Sequence, residues 1–248
     1  MRQYSFFFTF VLLICSMFLQ AQNPLGAPLV LNYGKVLFNG GSRTWAIAQD
    51  SRGIMYFGNN EGLLSFNGKY WKQYKLPNQT IVRSIYIDAA DRIFVGGQGE
   101  FGYFEQSELA GLRYVSLNDL IPSDFRQFAD VWHAEGFEQG VYFMTSDYIF
   151  SFKGGRIAVY PTASEWYFME VANGKLYAQD RSHGLLRFDN KQWGTVVAAH
   201  QFAHAKLSGM LTIGKDSVLV NLQNNKSFLL SANKLKALQA SQWGELYT

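Results

Sequence analysis

The chain has 248 residues, of which 17% are aromatic and 23 are glycine, with 5 prolines and one cysteine. A single cysteine excludes a fold held together by disulfides, and a net charge of +3 without a basic stripe argues against nucleic-acid binding. The abundance of aromatic, β-branched and glycine residues indicates one large all-β domain.

Residues 1–21 have the order of a secretory signal peptide. Arg2 precedes an apolar run over residues 6–19, and small or polar residues follow at Gln20 and Ala21. The run of about 14 residues is shorter than the roughly 20 that a membrane span needs. We predict cleavage near Ala21, with an uncleaved signal anchor as the alternative because Leu19 is not a small residue.

Cys15 lies inside this apolar run, after Leu12, Leu13 and Ile14. A lipid-attached cysteine would follow small residues, so we interpret Cys15 as part of the apolar run. Because cleavage near Ala21 would remove Cys15, we predict that the exported, periplasmic chain has no thiol. Residues 22–43 are predicted to lead into the folded domain.

A repeat with a period of 38 residues follows. Asp50, Tyr56 and Gly58 recur as Asp88, Phe94 and Gly96. The first unit alternates predicted strands, over 45–49, 54–57, 63–66 and 69–74, with turns at Asp50–Gly53, at 59–62 and at Asn67-Gly68. Each unit is therefore a four-stranded meander, and four-stranded units of about 40 residues are the blades of a β-propeller. Two stacked sheets are the alternative.

Later units are less regular. The third follows an insertion at 117–125, predicted as a loop or short helix near Ser123, and the fourth repeats Gly62, Leu63 and Phe66 at Gly184, Leu185 and Phe188. A faint fifth lies around 213–220, and residues 242–248 are similar to another first strand. We predict a β-propeller over 44–248 with about five blades, incomplete here because the chain is a piece of a longer protein.

The pattern Asp-x-x-Gly, an aromatic strand ending in Gly, then Gly-Leu-x-x-Phe resembles the two-component regulator propeller repeat. In this sequence it is carried by Asp50, Gly53, Tyr56, Phe57, Gly58, Gly62, Leu63 and Phe66, and again by Gly184, Leu185 and Phe188. The resemblance covers residues 44–193 well. Asp91, where the turn usually has glycine, departs from the pattern.

The resemblance is to exported sensors of the Bacteroidetes type. It implies that further segments follow the blades: a triple-tyrosine domain, a membrane span, and a helix-turn-helix or histidine kinase output. A homodimeric, inner-membrane-anchored full-length protein is also implied.

Motifs for catalysis, cofactors or metals are weak. His200 and His204 would share one face of a helix over 196–206, but no third ligand is evident, and we predict no metal site. Glu61, Glu100 and Glu105 are conceivable glycosidase carboxylates, yet they fall in turns that every blade needs. The glycine-rich 96–102 precedes no helix that could bind phosphate. We predict no cofactor and no enzymatic activity in this segment.

Binding at one mouth of the central channel has more support, because innermost strands line that channel. Candidate ligand-binding residues at the start of the first strands are Arg43, Trp45, Arg83, Trp132, His133 and Trp166. Aromatic and cationic groups there would suit a carbohydrate or another small, anionic ligand. The alternative is that the tryptophans belong to the core between blades.

Three hypotheses for function follow. The first is an extracytoplasmic sensor that passes a binding event to an output domain. The second is an exported propeller enzyme acting on glycans, a lyase or a glycosidase. The third is a scaffold for protein contacts.

Overall fold

The computed structural model describes residues 30–107 and 111–238. Contacts divide the chain into two units, residues 1–33 and 34–248. Of the first unit only residues 30–33 are described, and they form neither helix nor strand. The predicted signal peptide, residues 22–29 of the lead-in and the strand-like segment 242–248 lie outside the described residues.

The second unit begins with a single helical turn, α1 (Lys35–Phe38). The first two sheets comprise β1 (Thr44–Gln49), β2 (Met55–Asn59), β3 (Gly62–Phe66) and β4 (Trp71–Tyr74), then β5 (Val82–Ile87), β6 (Ile93–Gly97), β7 (Phe101–Ser107) and β8 (Gly111–Ser116). Two 3₁₀ turns, Asn118–Leu120 and Ser123–Phe125, occupy the insertion, as the sequence predicts.

Three more sheets follow. They comprise β9 (His133–Phe137), β10 (Gly140–Met144), β11 (Tyr148–Lys153) and β12 (Arg156–Pro161); β13 (Trp166–Ala172), β14 (Lys175–Asp180), β15 (Gly184–Asp189) and β16 (Gln192–Val197); and β17 (Leu207–Ile213), β18 (Ser217–Leu222), β19 (Ser227–Ser231) and β20 (Lys234–Ala237). A 3₁₀ turn, Ala199–Phe202, separates the last two sheets.

Every sheet is an antiparallel meander in chain order, and we call the sheets blades 1 to 5. The first strands of consecutive blades contact one another, in the order β1, β5, β9, β13, β17. The first strands are therefore innermost and the fourth strands outermost, which is the arrangement of a propeller. Residues 30–107 and 111–238 form five four-stranded blades, which confirms the prediction of a propeller with about five.

The repeated glycine, one residue before the end of the second strand, lets adjacent blades approach closely. A Cβ at Gly58 would lie 2.8 Å from the carbonyl oxygen of Val82, and one at Gly96 would overlap Val131. Val82 and Val131 start the next blade in each case and are fully buried. The repeated glycine is thus a packing requirement between blades.

Blade 4 has Gln179 at the corresponding position and uses hydrogen bonds instead. Its Nε2 donates to the carbonyl of Ala205 at 2.8 Å, and its Oε1 accepts from the amide of Leu207 at 2.8 Å. We expect Gln179→Leu to lower the free energy of unfolding by about 2 kcal/mol, because both backbone groups lose their buried partner. Urea unfolding would measure it, and an unchanged midpoint would contradict this role.

The aspartate turns are built alike in blades 1 and 2. Asp50 Oδ1 accepts from the amides of Arg52 and Ile54, and Asp88 Oδ1 accepts from those of Ala90 and Arg92. Asp91, the departure from the family pattern, takes a left-handed φ of 56°. Its carboxylate accepts from the amide and hydroxyl of Ser51, which ties the two turns together.

The core lies between neighbouring blades. Of the repeated aromatic positions, Tyr56, Phe94, Phe104, Tyr142 and Phe188 are buried, whereas Phe66 and Phe152 are half-buried. Among the described helices, none has the length and apolar character to cross a membrane.

Two local predictions are wrong. Asn67-Gly68 opens a four-residue loop and not a two-residue hairpin: Gly68 takes a φ of 91°, while the Asn67 side chain accepts from the amides of Lys69 and Tyr70. Residues 196–206 do not form one helix, because β16 ends at Val197 and Ala203 and His204 are left-handed. His200 and His204 therefore do not share a helix face.

Candidate ligand-binding site at the start of the first strands

A β-bulge recurs near the start of the first strand in four blades. The pairing with the second strand skips one residue each time, and the skipped residues are Trp45, Arg83, Tyr167 and Ser208. Bulges re-aim side chains and are common beside functional sites. In blade 3 the amide of Trp132, just before β9, donates to the carbonyl of Met144. These residues lie at the same end of the inner strands.

Arg83 lies between two tryptophans. Its Cζ is 4.3 Å from the ring centroid of Trp45 and 4.5 Å from that of Trp132, and the two rings are 6.3 Å apart in an edge-on arrangement. Both indoles remain accessible, at 38% for Trp45 and 41% for Trp132. Since guanidinium groups are attracted to indole faces, Arg83 holds the rings in place. We call Trp45, Arg83 and Trp132 the mouth cluster.

Asp130 neutralises Arg83 in an ion pair. The Nε of Arg83 lies 2.7 Å from Oδ1 of Asp130, within ion-pair distance. These two atoms are each other's partner although the contact is not well aligned as a hydrogen bond, whereas the buried Nη1 of Arg83 has no hydrogen-bond partner. Trp45, by contrast, donates from Nε1 to Oδ1 of Asn60 at 2.7 Å.

Two more cations accompany the bulge residues. The Cζ of Arg43 lies 5.8 Å from the Trp45 ring, and Nζ of Lys206 lies 3.8 Å from the Tyr167 ring. Lys206 directly precedes β17, so blades 4 and 5 repeat the pairing of a cation with an aromatic ring. The structure thus brings Arg43, Trp45, Arg83 and Trp132 together.

His133 and Trp166 do not join this cluster. The His133 ring packs edge-on against Phe168 at 5.4 Å, and burial lowers its pKa to about 4, so the imidazole is neutral. Trp166 is 5% exposed and packs against Trp193 of the same blade, in a core cluster that also contains Tyr142 and Met144 of blade 3. For Trp166 the structure matches the alternative of a core tryptophan.

Glu135 and Glu170 are partly buried on the first strands of blades 3 and 4. Burial, reinforced by the charge of Glu170, raises the pKa of Glu135 to about 8. Burial also raises the pKa of Glu170, whose Oε2 accepts from the amide of Met210 at 2.8 Å. Glu135 is therefore mostly protonated at neutral pH.

His183 is an exposed imidazole held by a buried carboxylate. Its Nδ1 lies 2.7 Å from Oδ1 of Asp180, and Asp180 also accepts from Thr162 and Ser164. These hydrogen bonds lower the pKa of Asp180 to about 2 against the opposing effect of burial. The loop that carries His183 follows β14, at the same end of blade 4 as the start of β13.

Two of the three glutamates considered for catalysis have partners within their own blade. Glu100 is buried and accepts from Ser116 and Tyr114, and Glu105 pairs with Arg113. Within residues 30–107 and 111–238, no group of three His, Cys, Asp or Glu side chains is placed to hold a metal ion.

Sequence reasoning missed Asp130 and Lys206. Asp130 directly precedes the predicted strand start at Val131-Trp132, but nothing in the sequence pairs it with Arg83. Lys206 was missed because the register of the faint fifth unit was not predicted.

No protein-family model matches the chain. No curated protein matches it either. Solved structures do. The extracellular domain of a protein from B. thetaiotaomicron, named as a one-component system in one structure and a hybrid two-component system in another, superposes with a TM-score of 0.61 at 16% identity. The match covers 81% of this chain and 28% of that domain, so the chain spans little more than a quarter of it.

Virginiamycin B lyase from Staphylococcus aureus superposes with a TM-score of 0.64 at 12% identity, covering 82% of this chain and 72% of the lyase. PorZ, a surface component of the type-IX secretion system of Porphyromonas gingivalis, gives 0.54 at 12% identity, covering 80% and 26%. Likeness at such identities shows the fold and leaves the activity open. The chain therefore has the β-propeller fold that its 38-residue repeat predicts.

Proposed function

We propose that this propeller is the extracytoplasmic, ligand-sensing part of a signal-transduction protein. The observation that carries the proposal is the mouth cluster, in which two accessible indoles flank one arginine where the inner strands begin. Flat apolar faces beside a few oriented polar groups are what small-molecule sites need, and sugar rings stack well on such faces. The proposed ligand is a carbohydrate or a similar small molecule.

The proposed setting follows from the repeat and from the fold. The blades resemble two-component regulator propellers, and the structure is similar to the extracellular domain of a B. thetaiotaomicron protein named as a two-component system. We place this propeller outside the cytoplasm, in a longer homodimeric protein with a membrane span and an output domain.

We expect Trp45→Ala and Trp132→Ala each to weaken ligand binding about tenfold or more, because each removes a stacking face. The measurement is calorimetric titration with neutral and acidic soluble oligosaccharides, namely cello-, xylo-, malto- and galacturonate hexamers. Tyr70→Ala is the matched control, since Tyr70 is an exposed aromatic residue in a turn at the opposite end of the strands. Binding that tolerates both tryptophan changes would refute this site.

An enzyme acting on glycans is the second candidate. It is favoured by the exposed His183 beside the buried Asp180, since a carboxylate on Nδ1 orients an imidazole as a general base. The same oligosaccharides would be examined for cleavage products. Cleavage abolished by His183→Ala would establish catalysis, whereas intact oligosaccharides that bind would favour sensing.

A further inference from the structure

Arg83 of the mouth cluster carries a buried donor without a hydrogen-bond partner. Its Nη1 has none, while its Nε faces Oδ1 of Asp130 at 2.7 Å in an ion pair. Leaving a buried donor unpaired destabilises the fold, and native proteins seldom retain such a group without reason. The unpaired Nη1 belongs to the arginine that lies between two accessible indoles, which offer an apolar surface. A ligand that supplied an acceptor to Arg83 would recover part of the lost stability.

The chemistry of the acceptor follows from the donor. A guanidinium group binds carboxylate, sulfate or phosphate with two parallel hydrogen bonds, and charge-assisted bonds are about twice as strong as neutral ones. Arg43 and Lys206 add positive charge near the same end of the inner strands. This environment favours an anionic group over a neutral hydroxyl.

The Asp130 carboxylate already pairs with the guanidinium group that such an anion would bind. Its Oδ1 lies 2.7 Å from Nε of Arg83 in an ion pair, so a second anion at Arg83 would compete with it. The backbone around it is fixed, since Gly99 donates to Ala129 and Val131 donates to Gly97. An anion at Arg83 would therefore have to displace the Asp130 side chain and not its backbone segment.

We infer that the ligand carries an oxyanion that binds Arg83 in competition with Asp130, while the rest of the ligand stacks on Trp45 and Trp132. This inference rests on the proposed ligand-binding function and adds the charge of the ligand and an internal competitor. Carboxylate, sulfate and phosphate share the required chemistry.

The test uses sodium acetate, sulfate and phosphate as probes, with sodium chloride at equal ionic strength as the blank. Tryptophan fluorescence and the indole NMR signals of Trp45 and Trp132 report binding. We expect millimolar binding of at least one oxyanion, about tenfold tighter in Asp130→Asn because the competing charge is removed. Arg83→Lys should lose most of the binding, since it keeps the charge without the fork.

Asp124→Asn is the matched control, because Asp124 is an exposed aspartate on the same segment. Thermal melting checks that each variant is folded. Absence of oxyanion binding, or equal affinity in wild type and Asp130→Asn, would overturn the inference. If oligosaccharides still bind and Trp45→Ala abolishes that binding, the proposed function survives while this inference fails. If neither oligosaccharides nor oxyanions bind, both fail.

Discussion

Replacing Gly184 by alanine is expected to lower the free energy of unfolding by about 3 kcal/mol. Gly184 takes a φ of 91°, and a Cβ there would overlap the carbonyl oxygen of Val197 and lie 2.5 Å from the amide nitrogen of Ala199. Backbone atoms cannot rotate away as a side chain can. Gly62 has the same surroundings in blade 1, since it takes a φ of 115° and a Cβ there would overlap the carbonyl oxygen of Tyr74. This steric requirement explains why the Gly-Leu motif begins with glycine.

Gly194→Ala is the matched control in the same blade, since a Cβ at Gly194 would meet no atom within 4 Å. Its unfolding midpoint in urea should stay close to that of the wild type. Equal midpoints for the two variants would show that the motif glycine has no steric role.

Glu135→Gln is expected to stabilise the protein at pH 8 by about 2 kcal/mol and to change little at pH 5. The pKa of Glu135 is raised from 4.5 to about 8, first by burial and then by the charge of Glu170. The folded state therefore binds more protons than the unfolded state between these values. Stability falls as the pH rises through that window, and the loss is complete above pH 8.

His133 contributes the opposite slope at lower pH, and it does so equally in wild type and variant. Its pKa is lowered from 6.5 to about 4, so it destabilises the fold only as the pH falls through that range. Thermal melting at pH 5 and pH 8 measures the difference, with Glu138→Gln as an exposed control. A Glu135→Gln variant no more stable than wild type at pH 8 would show that Glu135 is solvated in the fold.

The fold was predictable because the repeat encodes packing directly. Gly58 and Gly96 lie against the next blade, and the aspartates at 50 and 88 build the same turn. Where the repeat is less regular, another interaction replaces the glycine contact between blades. Gln179, for example, makes two hydrogen bonds at that position. Such a substitution leaves no periodic signal in the sequence.

The candidate site was predictable only in part. The start of each first strand could be located, which placed Trp45, Arg83 and Trp132 at one mouth. Whether a side chain there points to solvent or to the core depends on the β-bulge, which shifts the alternation by one residue. Trp166 precedes the bulge residue Tyr167 and is buried for that reason, whereas Trp45 occupies the bulge and is accessible.

The indole NMR signals of the tryptophans test most directly whether ligand binds at the mouth cluster. Protein labelled with ¹⁵N-tryptophan would be titrated with the oligosaccharide that binds most tightly. Trp45 and Trp132 should shift in a saturable manner, while Trp71, Trp166 and Trp193 should stay in place. Saturable binding that moves Trp71, Trp166 or Trp193 and leaves Trp45 and Trp132 unchanged would contradict the account.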